Sequence, residues 1–197
     1  MGDSSPLGPP PREIRIAYPA WVARRVPWEA VFATDEDRVG LAIDLARWNV
    51  VEDSGGPFGA AVFERGSGRL VAVGMNLVVP LANSALHAEM VAFMMAQARR
   101  GTFTLAEAGL PEHEMATSCE PCAMCLGATL WSGVRRLVCA ATREDALRLA
   151  FDEGPVFAES YEYLAERGVE VRREVRRAEA AAVLELYQRR AGLIYNA

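Results

Sequence analysis

Apolar positions along this chain change period several times, and the changes predict alternating helices and strands. Thr34 followed by Asp35, Glu36 and Asp37 sets a capping side chain and acids at a helix start, after which Val39, Ile43, Ala46 and Val50 recur at helical spacing. The first helix is therefore predicted over 35–51. Ser54-Gly55-Gly56-Pro57 ends it, and the β-prone runs Phe58–Glu64 and Leu70–Gly74, joined by Arg65-Gly66-Ser67-Gly68, read as a hairpin. A loop then leads into a helix over 87–100, whose Met90, Val91, Met94 and Met95 suit a buried face. Beyond it the pattern predicts strands over 115–118, 136–141 and 169–175. Helices are predicted over 121–131, with proline in the first turn, and over 142–149, 160–166 and 178–190, with a loop at 151–157. Strands alternating with helices argue for a layered α/β sandwich.

Six of the eleven prolines (Pro6, Pro9, Pro10, Pro11, Pro19 and Pro27) precede this pattern, in a stretch without steady periodicity. Residues 1–33 are read as an N-terminal arm, extended or loosely draped, and residues 34–197 as the folded domain.

With 197 residues, 51% of them hydrophobic, the chain can bury a sizeable core, so a disordered tail protein is excluded. No stretch approaches the roughly 20 apolar residues of a membrane-spanning helix. The opening Met-Gly-Asp-Ser-Ser-Pro lacks a signal pattern and has Pro6 where myristoylation needs Ser or Thr, so neither export nor lipid anchoring is expected. Every one of the 21 basic residues is arginine, and the absence of lysine excludes Schiff-base, pyridoxal and phosphate-loop lysine chemistry. The net charge of −5 is spread over both halves, which leaves no basic footprint for nucleic acid. Three of the four cysteines fall within 119–125, a pattern wrong for a disulfide scaffold and right for metal or redox chemistry in a reducing, cytoplasmic compartment.

The candidate chemistry lies in His87-Ala88-Glu89 and in Pro121-Cys122-Ala123-Met124-Cys125, 35 positions after the histidine. Both motifs open predicted helices, where unpaired backbone N–H groups favour anions. Cys122 and Cys125 are three apart, so one helix face presents both sulfurs. One imidazole and two thiolates leave the fourth tetrahedral position of a zinc ion open for water. Glu89, two residues from His87, is placed to take that water's proton, which points to hydrolytic deamination of an amino-bearing ring. The spacing H-x-E…P-C-x-x-C is the general signature of zinc nucleobase deaminases.

These motifs resemble the cytidine deaminase-like superfamily, and within it the bacterial guanine deaminase branch. The matching segments are Gly55-Gly56-Pro57-Phe58-Gly59-Ala60, Asn76, His87-Ala88-Glu89, Thr117 through Ala128, Trp131 and Phe151-Asp152-Glu153-Gly154-Pro155, with a similar ending at Tyr195-Asn196-Ala197. The resemblance implies a three-layer α/β/α sandwich around a central mixed five-stranded sheet, with zinc between two helix N-termini. It implies that His87, Cys122 and Cys125 ligate Zn2+, that Glu89 is the main proton shuttle and that Glu153 also moves protons. Asn76 would hydrogen-bond the purine, Phe58 and Trp131 would wall its ring, and Ala88 and Tyr195 would complete the substrate contacts. It further implies conversion of guanine to xanthine and ammonia, and a homodimer whose C-terminal segments exchange and close the partner's site.

Other readings of the same residues stay open. Cys119, Cys122, Cys125 and Cys139 would suit a closed structural zinc or an iron–sulfur cluster, though that leaves Glu89 without a role; otherwise Cys119 and Cys139 are small buried residues. Glu153 would serve as a solvated loop acid, and Asn76 as a turn former. His113, between Glu112 and Glu114, is expected to be exposed, and Met94 and Met95 to be core. Arg172, Arg173, Arg176 and Arg177 are expected on a solvated strand face, paired with Glu166, Glu170 and Glu174. The ring itself is open to an ammeline-type triazine or an aminopurine nucleoside. A tRNA adenosine deaminase would need a basic surface that this acidic chain lacks.

Overall fold

The chain runs α1 (Val22–Arg25), α2 (Asp35–Val51), β1 (Gly59–Glu64), β2 (Leu70–Met75), α3 (Ala88–Arg100), β3 (His113–Cys119), α4 (Ala123–Ser132), β4 (Arg136–Ala141), α5 (Arg143–Leu147), α6 (Ala158–Glu166), β5 (Glu170–Arg172) and α7 (Arg177–Arg189). The computed structural model describes residues 8–195, so the readings placed on the first residues and on Asn196 and Ala197 fall outside it. One five-stranded sheet has the order β2-β1-β3-β4-β5. β1 pairs antiparallel with β2 and β3, whereas β3, β4 and β5 are mutually parallel.

Side chains alternate across each strand, and both faces are covered. Ala61 and Phe63 of β1 pack with Val39, Ile43 and Ala46 of α2 and with Val183, Leu184 and Tyr187 of α7. Ala60 and Val62 pack on the other side with Ala92 and Phe93 of α3, Leu126 of α4 and Leu164 of α6. The result is the α/β/α sandwich, and its doubly buried strands read as continuous apolar runs. The predicted start of α2 forms a capping box: Thr34 Oγ1 accepts from the Asp37 N–H at 3.1 Å, and Asp37 Oδ2 accepts from the Thr34 N–H at 3.0 Å. Gly74 lets α3 lie against β2, because a Cβ there would sit 2.0 Å from the Ala88 carbonyl oxygen.

The register puts the start of β1 and the ends of β2, β3 and β4 along one edge, with Gly59 opposite Met75, Ala60 opposite Thr117 and Cys119 opposite Ala141. Segments leaving that edge carry Phe58, Asn76 and Cys122. Open α/β sheets bind ligands beyond the carboxyl ends of their parallel strands.

Three expectations change. Residues 18–33 are not loosely draped: Trp21, Val22 and Val26 are buried, the Tyr18 hydroxyl donates to the Val73 carbonyl at 2.9 Å, and Val31 bridges Arg69. Isolated aromatic anchors in a short irregular segment leave no period to read. His113 is fully buried at the start of β3, with Nδ1 3.0 Å from the Leu105 carbonyl and Nε2 accepting from Arg100 Nε at 3.2 Å. Burial, reinforced by the Arg100 charge, lowers its pKa. Its neighbour Glu114 is buried too, paired with Arg38 at 2.9 Å and Arg136 at 3.2 Å. The last strand shrinks to Glu170–Arg172, since Glu174 and Arg176 turn the chain at φ 63° and 55°.

The arginine cluster is indeed paired, but Arg172, Arg173 and Arg177 reach Asp35, Glu120 and Asp145 on other elements, and only Arg177 with Glu174 matches the expected local pattern. Asp145 is buried, accepting from Arg177 Nε at 2.8 Å and from the Thr142 N–H at 3.0 Å, so it joins α5 to α7. The Arg177 hydrogen bonds hold its carboxyl at about 2, below the ordinary 3.8. A carboxyl depressed on folding contributes stability above its unfolded pKa and loses it as pH falls through the folded one. Asp145→Asn should therefore cost about 1–3 kcal/mol in urea unfolding at pH 7. The gap should close as pH falls from about 4 toward 2; a gap independent of pH would show that the charge is not what Asp145 contributes.

Candidate active site

Two helix starts converge at the shared sheet edge. His87 is the N-cap of α3 and Cys122 the N-cap of α4, each in extended backbone, while Cys125 lies in the first turn of α4 and faces the core. His87 Nδ1 is 3.4 Å from Cys122 Sγ, and ligand atoms of His87, Cys122 and Cys125 all lie within 4.8 Å of one another. Bond lengths of zinc to nitrogen and sulfur at a tetrahedral angle place such donors about 3.5–3.8 Å apart.

His87 and Cys122, with Cys125 behind them in the core, line a small cavity with Phe58, Asn76, Glu89, Glu120, Glu153 and Tyr195. Phe151 backs it, its ring 5.0 Å from Phe58 and 5.3 Å from Tyr195 between centroids; the Tyr195 ring also meets His87 edge-on at 6.5 Å. Tyr195 covers the site of its own chain.

The electrostatics suit a cation. The hydrogen bond from the Cys125 thiol holds Cys122 as a thiolate with a pKa of about 4, helped by His87. Cys125, the donor in that bond and buried, is pushed well above the usual thiol range. Burial raises Glu89 to about 7 and Glu153 to about 8, in both cases reinforced by the Cys122 charge. For His87, burial works against protonation, but the Cys122 hydrogen bond and the Glu89 charge overcome it and raise the pKa. Two sulfurs sharing one proton beside two resisted carboxylates form a donor set short of positive charge. A divalent ion with affinity for sulfur and imidazole fits it.

Glu153 is docked rather than solvated: its carbonyl accepts from the Ala123 N–H at 2.9 Å at the start of α4, and Arg143 Nη2 donates to the Gly154 carbonyl at 2.9 Å. Asn76 is buried, its Oδ1 accepting from the Val78 N–H at 3.2 Å while Nδ2 has no protein partner. Ala88 is buried in the first turn of α3 against β2 and contributes no wall to the cavity.

Trp131, expected as a wall, is 80% exposed and lines no part of the cavity. On α4, Cys125 and Thr129 are four apart and point inward, which turns Trp131, two positions on, to the outside. Glu120 is a wall that the motif did not single out. It accepts from Arg173 Nε and, at 3.0 Å, from the Arg143 N–H. Its place between Cys119 and Pro121 was the available signal. The four-cysteine reading is corrected: Cys119 and Cys139 pack into opposite faces of the sandwich, outside the ligand cluster.

Fold and site together define a zinc-dependent aminohydrolase. The model of the family described as cytidine and deoxycytidylate deaminase zinc-binding region matches residues 33–141, and the chain belongs to this family, in its zinc-dependent guanine deaminase branch. It is 36% identical to guanine deaminase of Bacillus subtilis (strain 168) over 118 residues, 60% of this chain and 71% of that one. The solved guanine deaminase from Nitrosomonas europaea is 43% identical with a TM-score of 0.87, over 92% of this chain and 100% of that one. A structure of NE0047 in complex with 2,6-diaminopurine is 46% identical with a TM-score of 0.86, over 92% and 96% of the respective chains.

Proposed function

We propose that this protein hydrolyses guanine to xanthine and ammonia. The observation that carries the reading is one cavity lined by His87 and Cys122 of the His87, Cys122 and Cys125 donor cluster, by Glu89 and Glu153 with their raised pKa values, and by Asn76, whose Nδ2 is unpartnered. His87, Cys122 and Cys125 would hold Zn2+, which when bound supplies Lewis-acid chemistry that makes a water nucleophilic near neutral pH. Asn76 donates Nδ2–H to an acceptor on the purine, and Phe58 and Tyr195 confine the ring. A C2–O bond forms and the C2–N bond breaks: Glu89 takes one proton from the attacking water and delivers it to ring N3, and the proton of the new C2 hydroxyl passes through Glu153 to the amino group, which leaves as ammonia as the C2 carbonyl forms. Burial, the larger cause of both raised pKa values, favours proton exchange at both carboxyls near neutral pH. The docking of Glu153 against α4 and its place in the cavity wall support this role, and Glu153→Gln should lower kcat by about 10²-fold with zinc retained. A near-wild-type rate would remove it from proton transfer.

Two copies are inferred to pair through the outer face of α4 and α6. There Tyr163, 44% exposed, lines a cleft with Leu126 and Leu130, Trp131, 80% exposed, lines a neighbouring cleft with Leu130 and Tyr163, and Phe157 is 64% exposed at the start of α6. Exchange of C-terminal segments between such copies would swap equivalent covers, since Tyr195 already closes a site in the single chain. No helix among the described residues is long and apolar enough to cross a membrane. Thiolate ligands and four free cysteines support a reducing, cytoplasmic setting.

The test is ammonia release by the zinc-loaded protein with guanine, guanosine, ammeline, adenine, cytosine, cytidine and a tRNA anticodon stem-loop. Guanine is expected to turn over, yielding xanthine. Release from another ring only would keep the chemistry and overturn the substrate.

A further inference from the structure

Asn49, fully buried on α2, lies outside the cavity yet is tied to two segments that form it. Its Nδ2 donates to the carbonyls of Gly56 and Asn76, each at 2.9 Å. Its Oδ1 accepts from the Ser54 hydroxyl at 2.7 Å, and Ser54 Oγ in turn accepts from Trp21 Nε1 at 2.8 Å. The junction has no slack: a Cβ on Gly55, at φ 156°, would stand 2.0 Å from the Asn76 oxygen and 2.7 Å from Asn49 Nδ2.

The Asn76 peptides are held on both sides, because its N–H donates to the Phe58 carbonyl at 3.0 Å and its carbonyl accepts from Asn49. Its side-chain oxygen is occupied by the Val78 N–H, which leaves Nδ2 as the free donor. The direction of that donor is therefore set by the clamp on the backbone. A buried amide held by two donated bonds and one accepted bond cannot rotate without orphaning a carbonyl, and orphaned buried polar groups are costly.

We propose that Asn49 is a positioning residue for purine recognition, aiming the Asn76 donor at the base, and that Trp21 of the N-terminal segment locks it through Ser54. The proposal rests on the reading that Asn76 binds the substrate. It gives the proline-rich segment a part in the site, since a residue read as belonging to a loose arm becomes the outer end of a relay reaching the ligand.

The variants are Trp21→Phe, which keeps an aromatic ring and deletes one N–H, and Asn49→Asp, which turns the donors to both carbonyls into an acceptor; Asn49→Asp is also combined with Asn76→Ala. The readouts are KM and kcat for guanine, calorimetric Kd for hypoxanthine, which has a ring carbonyl but no amino group to lose, bound zinc and Tm. KM and Kd should rise together, about 3–10-fold in Trp21→Phe and about 30-fold in Asn49→Asp, with kcat of Trp21→Phe within about twofold and zinc retained. On top of Asn76→Ala, Asn49→Asp should add less than about twofold, because the residue it aims is gone.

Unchanged KM and Kd in Trp21→Phe, or full additivity in the double variant, overturns the proposal. If Asn49→Asp does not fold, Trp21→Phe decides alone. A wild-type protein that neither turns over guanine nor binds hypoxanthine would instead overturn the substrate reading on which the relay rests.

Discussion

Glu89→Gln protein is expected to keep its zinc and to release ammonia from guanine about 10²–10⁴-fold more slowly, the range expected for loss of a general acid–base. The side chain is buried at the start of α3, within the cavity and two residues after His87, and it is not among the three converging donors. Burial has already raised its pKa to about 7, so its proton exchanges without a large penalty in either direction. Glutamine preserves the volume and removes that exchange. The loss should therefore fall on kcat, with KM for guanine and bound metal close to wild type. Loss of metal in this variant would mean that the ligand set has been misassigned.

Cys122→Ala should lose metal and activity together. It leaves one imidazole and one thiol, and two protein ligands do not retain zinc against dilution or a chelator. Its sulfur lies at the N-cap of α4, 3.4 Å from His87 Nδ1, so the variant also breaks the link between the two helix starts. Metal analysis after dialysis, read beside ammonia release, checks this; a fully loaded variant would refute the site. Cys139→Ala is the control, since Cys139 lies in the core outside the ligand cluster and its loss should leave zinc in place. Because the ligands bind metal only when deprotonated, retention should weaken as pH falls.

Much of the site was legible because its residues are close in sequence. His87 with Glu89, and Cys122 with Cys125, are local pairs at helix starts, and a helix start imposes its geometry over three or four residues. Thr34 and Asp37 announced α2 in the same way, and the glycines of 65–68 announced the β1–β2 turn. Glu153 and Tyr195 could be picked only by resemblance, because each reaches the cavity through contacts far along the chain. His113 looked exposed between two acids; its burial depends on Arg100, 13 residues away, and on Leu105. Trp131 looked like a pocket wall until the facing of α4 was set by Cys125 and Thr129.

Sequence by itself therefore determined the chemistry of the donor set, the starts of the helices that carry it and the alternation of strands and helices, all signals that act within a few residues. The tertiary structure decided the strand order, the common edge where Phe58, Asn76 and Cys122 leave the sheet, the packing of Trp21 and the buried role of Asn49. Those outcomes turn on which distant surfaces exclude water together and which buried polar atoms find partners, and neither is written in any short stretch of the chain.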